Sequence, residues 1–223
     1  MRETPLTGRQ KLKDVVVQIE HCLADLNILF DKTLLSCIGQ DGTQYIDFSS
    51  IRERCFLPED LSDNQLRRAI KYDAKGRLEL HPDLDMVRRS QAYDESEAVD
   101  RMLFVDDVDI TGHEAKPDIV FKQLLLPCSN AVAQAHAVDS EKSEELPKDG
   151  SDTETLIQQT VIRPYGYKET RFFQGFCFVE YSSRSLCTVM ANTILSRNNT
   201  VRVMPMKQWL KLEREYQRHK QAV

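Results

Sequence analysis

Phe176 and Phe178 stand two residues apart in the run QGFCFVEY, residues 174–181. In an extended strand that spacing puts both rings on one face, with Gln174, and puts Cys177, Val179 and Tyr181 on the other. A strand that is largely apolar on both sides gives one side to a core. Rings on its second side can stack on nucleic-acid bases. The alternative is that a helix or a protein partner covers those rings, because exposed aromatic surface marks a contact. Cations that could meet phosphates stand nearby. Arg163, Lys168 and Arg171 precede the run, and Arg88 and Arg89 form a pair further upstream.

Other chemistries find little support. The six cysteines, at 22, 37, 55, 128, 177 and 187, form no C-x-x-C pair and none has a histidine at finger spacing. His21 and Cys22 are adjacent, which is poor geometry for one metal on a helix. Walker, dinucleotide-binding and nucleophile-elbow motifs are missing, and eight glycines leave few phosphate-cradling loops. His113, Asp118 and Cys128 are neighbours only in sequence. The chain reads as no enzyme, with no cofactor and no metal.

The chain has 223 residues, a length that favours two small domains. An apolar fraction of 41% with 29% charged residues suits ordinary globular modules. No apolar run is long enough to span a bilayer, and the first residues lack the apolar centre of a secretory signal. A reducing compartment and free thiols are expected. The net charge of −5 is unevenly spread. Residues 94–160 carry 5 Lys and Arg against 16 Asp and Glu, whereas residues 161–223 carry 11 against 4. A basic end beside an acidic middle fits either a polyanion partner or a solvated linker next to a basic surface helix.

In the first half, residues 12–35 have helical periodicity, with Val16, Ile19, Leu23, Leu26 and Phe30 on one stripe. Asp31 is placed to cap a short helix, KTLLSCI. A strand-like run at 45–48 follows, then a helix capped by Ser49 or Ser50 and one capped by Ser62. Leu78–Leu80 and Met86–Arg88 read as a hairpin. Small helices closed by a hairpin describe a winged helix.

The segment QIEHCLADLNILFDKTLL resembles the opening of the La motif at Gln18, Ile19, Glu20, Asp25, Asn27, Asp31, Lys32 and Leu34, and the likeness covers residues 10–92. It implies a pocket for unpaired 3′-terminal uridines. Aromatics would stack on the bases, Gln18 would touch one base, and Asp31 would accept from ribose hydroxyls. The aromatics are replaced here: His21, Cys22, Thr33 and Arg54 stand at their positions. Gln18 and Asp31 then either keep a contact with RNA or simply pack and cap.

After an acidic linker at 93–100, QGFCFVEY resembles the octamer of RNA-recognition motifs, and Leu103-Phe104-Val105 fits its companion on the first strand. The expected order is β-α-β-β-α-β over 101–206, interrupted by a disordered insertion at about 129–157 whose first part, AVAQAHAV, could be helix or strand. A charged helix occupies 207–223, where Trp209, Leu212 and Tyr216 form a stripe that packs on the domain, with the sheet as one place for it.

The final segment, RVMPMKQWLKLEREY, and IRPYGYKET ahead of the octamer resemble the La-related protein 7 family, and the replaced aromatics of the uridine pocket resemble its fungal telomerase-associated branch. The resemblance implies an α+β chain: a winged-helix La motif, then an RNA-recognition motif with an extra C-terminal helix. It implies a nuclear, non-catalytic protein that stabilises and assembles a small non-coding ribonucleoprotein. The implied RNA is telomerase RNA or a related small nuclear RNA. Implied protein partners are other ribonucleoprotein subunits, including an RNA cap methyltransferase and the telomerase catalytic subunit. A chaperone of RNA polymerase III transcripts is the genuine-La alternative, and a protein scaffold with little RNA contact is the rival from another class. No second octamer follows, so the chain is expected to be a fragment or a short member. The RNA-facing set is Phe104, Phe176, Phe178, Gln174, Arg163, Lys168, Arg171, Gln18, Asp31, His21, Arg54, Arg88 and Arg89.

Overall fold

The apolar stripe of the first half is buried apart from the half-buried Phe30, but two helices and the turn between them carry it, and a third helix follows. The computed structural model describes residues 8–39, 42–74, 76–112, 118–140, 159–166 and 173–221. Helix α1 spans Gly8–Cys22, α2 Asp25–Phe30 and α3 Lys32–Ile38. Val16, Ile19, Leu23 and Leu26 are buried across the break. Ala24 is extended there, and the Asn27 amide reaches back to the His21 carbonyl at 2.6 Å. After the turn between α1 and α2 it is Ile28 that joins Val16, Ile19 and Leu23 in one core, so the stripe's register shifts at the break.

Strand β1 (Ile46–Asp47) leads into α4 (Phe48–Cys55), and α5 spans Asp63–Asp73. The cap of α4 is Asp47 rather than either serine. Its carboxylate accepts from the Ser50 N–H at 2.8 Å and from both serine hydroxyls. These donors, that of Ser49 foremost, lower its pKa to about 2. Ser62 caps α5 in a reciprocal box with Gln65. Strands β2 (Leu78–Leu80) and β3 (Met86–Arg89) form the hairpin, and β1 joins it in the antiparallel order β1-β3-β2. Arg89 runs from β3 to the buried Asp25 at the start of α2, with N–O 2.5 Å. That ion pair ties the hairpin to the helices that carry Gln18 and Asp31.

The chain divides into two compact units between Glu95 and Ser96. The stretch read as a linker is not extended: α6 (Glu95–Ala98) and a 3-10 turn over Val99–Arg101 occupy it.

The second unit contains β4 (Met102–Asp106), α7 (Asp118–Leu125), α8 (Ser129–Ser140), β5 (Val161–Gly166), β6 (Phe173–Glu180), α9 (Arg184–Arg197), β7 (Arg202–Pro205) and α10 (Met206–Gln221). Its four strands are antiparallel in the order β5-β6-β4-β7. One face packs on helices: Leu103, Val105, Cys177, Val179 and Tyr181 share a core with Phe121, Leu125, Leu186, Met190 and Ile194. The buried Tyr181 hydroxyl donates to the Leu125 carbonyl at 2.9 Å.

Residues 129–140 correct the expectation of a disordered insertion. They form α8, and Ala131, Val132 and Ala135 pack into the same core. Small side chains four apart let this helix approach α9 closely. Residues 141–157 lie outside the described residues.

Removing one partner from a buried ion pair leaves an uncompensated charge, which costs about 3–5 kcal/mol. Asp25→Ala is expected to destabilise the first unit by that amount in urea unfolding followed by circular dichroism. Asp25→Leu combined with Arg89→Met is expected to lose much less. Equal losses for the two variants would show that the pair's charge is not what holds the hairpin.

Candidate nucleic-acid interface

Two candidate surfaces come from the resemblances, one in each unit. In the first unit, Gln18 lies on α1 and spends its amide on the end of α4, donating to the Cys55 carbonyl at 2.5 Å and the Phe56 carbonyl at 3.4 Å. Asp31 has both carboxylate oxygens engaged. One accepts from the Thr33 and Leu34 N–H groups at 2.9 Å each, capping α3. The other meets the Arg54 guanidinium at 3.1 Å. The cap is worth about 1 kcal/mol. The partly exposed ion pair adds at most about 1 kcal/mol. A ribose diol would have to displace one or both.

Flat faces are scarce around these groups. Cys22 lies on α1 and accepts a hydrogen bond from the Cys55 thiol, which holds Cys22 below the ordinary thiol range; the same contact and burial push Cys55 up. His21 and Thr33 are exposed. Sequence reasoning missed Phe56. It follows α4 in the left-handed region at φ 51° and is 85% exposed, beside the carbonyls that Gln18 grips. The signal was present in CFLP, where an apolar residue follows the last helical turn.

The paired arginines of the hairpin have partners. Arg88 gives a two-pronged bond to Glu79, at 2.9 and 2.6 Å, and lies over the Tyr45 ring at 4.7 Å. Arg89 is committed to Asp25 and is 13% exposed. A phosphate would have to compete with those carboxylates.

In the second unit, the two central strands bring the aromatics together. Phe104 on β4 stands opposite Phe178 on β6, and their rings are 5.6 Å apart; Phe104 and Phe176 are 5.5 Å apart. Gly175 explains the glycine of the octamer. At φ 71° its absent Cβ would fall 2.8 Å from the Val108 carbonyl oxygen, and the Val108 N–H bonds back to Gly175. Only glycine lets β4's continuation cross there.

This ring-bearing face is not fully open. Trp209 on α10 lies over it, stacked on Phe104 at 5.9 Å and edge-on to Phe178 at 4.8 Å. Phe178 is 1% exposed, while Phe104, Phe176 and Trp209 are half-buried. The expected apolar stripe of α10 therefore packs only at its start, since Leu212 is 47% and Tyr216 60% exposed. Arg163 on β5 registers opposite Phe178. Gln174 lies on β6, and Lys168 and Arg171 lie outside the described residues.

Among the described residues no group of His, Cys, Asp or Glu could hold a metal, and no helix is long and apolar enough to cross a membrane. The sequence matches no protein-family model and no curated protein.

With Asp31 engaged twice and the pocket aromatics replaced, Gln18 and Asp31 offer a 3′ end two polar contacts worth about 0.5–1.5 kcal/mol each. RNAs ending in unpaired uridines are expected to bind less than about tenfold better than the same RNAs with a 3′-phosphate, the equivalent of 1.4 kcal/mol. A competition titration at fixed salt measures the ratio, and a hundredfold preference would show that the pocket is working with other residues.

Proposed function

We propose that the chain is a non-catalytic RNA-binding protein that stabilises and assembles a small non-coding ribonucleoprotein in the nucleus. The first unit is read as a winged-helix La motif and the second as an RNA-recognition motif with an extra C-terminal helix. The observation that carries this reading is the placement of Phe104, Phe176 and Phe178 on one face of the two central strands, next to Arg163 on β5. Rings so arranged suit base stacking, and cations beside them suit the backbone. Telomerase RNA is the proposed RNA within this class. Ribonucleoprotein subunits, among them a cap methyltransferase and the telomerase catalytic subunit, are the proposed protein partners.

One geometry favours a second reading, a protein scaffold with little direct RNA contact. Trp209 covers Phe178, and Arg54 fills the ribose side of the first unit. The two readings differ in salt dependence, because phosphate contacts release counterions and protein contacts largely do not.

Phe176 and Phe178 should separate cleanly. Phe176 is half-exposed, so Phe176→Ala is expected to weaken RNA binding by about 1–3 kcal/mol with little change in stability. Phe178→Ala is expected to act through the fold instead, at about 3–5 kcal/mol of stability. Fluorescence anisotropy with labelled RNA and thermal unfolding measure the two effects. An unchanged affinity in a folded Phe176→Ala variant would remove the sheet from the RNA interface.

A further inference from the structure

The cations of α10 form a ridge. Lys207, Lys211, Arg214 and Arg218 are spaced by four, three and four residues, which at 3.6 residues per turn confines them to an arc of about 60°. Trp209 lies on the opposite side of the helix and is fixed to the sheet by Phe104 and Phe178. The ridge is therefore turned outward, and all four residues are exposed. The two carboxylates of the helix, Glu213 and Glu215, fall outside the arc, and Glu213 accepts from Gln217 at 2.7 Å.

Seven arginines elsewhere in the chain are held by carboxylates. Arg52, Arg54, Arg67, Arg77, Arg88, Arg89 and Arg202 each have a carboxylate within 3.1 Å. On the ridge, Lys207 meets Asp100 at 2.6 Å, while Lys211 and Arg218 have no ion pair among the described residues. That one pair fastens the first turn of α10 and leaves Lys211 and Arg218 open to a partner. In a chain of net charge −5, this is a local concentration of positive charge along one side of a helix.

We infer that the outer ridge of α10 is a phosphate track that holds a sugar–phosphate backbone running along the helix, an inference that rests on the RNA reading above. Successive ridge cations are separated by about 4.5–6 Å along the axis, so a strand with one charge per nucleotide can meet several of them in turn. The ridge reads charge alone. A single strand and a duplex are thus two sources of the same chemistry, and orientation would be set here while the sheet sets base contacts.

The test uses the full chain with two labelled probes, a single-stranded oligouridine and an RNA hairpin, titrated from low to high salt. Replacing Lys211, Arg214 and Arg218 together by Ala is expected to flatten the plot of log affinity against log salt. The loss is about two units of slope for the single strand and nearer three for the duplex. The probe whose slope changes identifies the source. Lys211→Arg with Arg218→Lys is expected to keep the wild-type slope, because it keeps the charges, and it guards against a fold defect in the triple variant. A triple variant with wild-type slope on both probes overturns the track and leaves RNA binding standing. A wild-type protein that binds neither probe overturns both. Displacement of RNA by polyglutamate at equal charge concentration would assign the ridge to acidic protein instead and overturn the track.

Discussion

The second unit is governed by a sheet that is apolar on both faces. Leu103, Val105, Cys177 and Val179 need helices on one side, and α7, α8 and α9 supply them. Phe104, Phe176 and Phe178 need something on the other side, and Trp209 supplies part of it. The cover is incomplete because the packed stripe ends after one turn. Met206 is fully buried, whereas Leu212 and Tyr216 stand in solvent. The docking of Trp209 on the sheet thus has three consequences. It covers Phe178, leaves Phe104 and Phe176 half-exposed, and turns the cationic side of α10 outward.

The first unit has followed the same course with different groups. Where the La-motif resemblance implies open contacts for a terminal ribose and its base, Arg54, the α3 N-terminus and the α4 carbonyls engage Asp31 and Gln18. A site that satisfies its own polar groups gains little from a ligand that must displace them. The proposed function therefore moves weight away from the 3′ end and toward exposed cations and the open part of the sheet.

Much of this was legible in the sequence, and what was not has physical reasons. The two-residue period gave the facing of β6 from Phe176 on, past the irregularity at Gly175, because strand alternation has no exceptions short of a bulge. The Asp31 and Ser62 caps followed from polar residues standing directly before apolar helical runs. Asp47 was hidden because three possible caps stand in a row, and only the turn of the chain decides which oxygen meets the Ser50 N–H. AVAQAHAV reads as either helix or strand because its buried face is built from Ala131, Val132 and Ala135, which give a weak periodic signal beside an acidic run. The Arg54–Asp31 pair joins residues 23 apart, and its formation depends on how α4 packs against α3, which no local pattern records.

The most direct measurement concerns the cover on the sheet. Trp209 is the only tryptophan, so its emission reports on that contact alone. RNA that binds through the α10 ridge and Phe176 leaves the helix docked. During a titration that saturates by anisotropy, the Trp209 emission maximum should then stay where it is in the free protein, and acrylamide should quench it no better than before. A red shift with a clear rise in quenching at saturation would show that RNA displaces α10 and takes the faces of Phe104 and Phe178, contradicting a fixed cover.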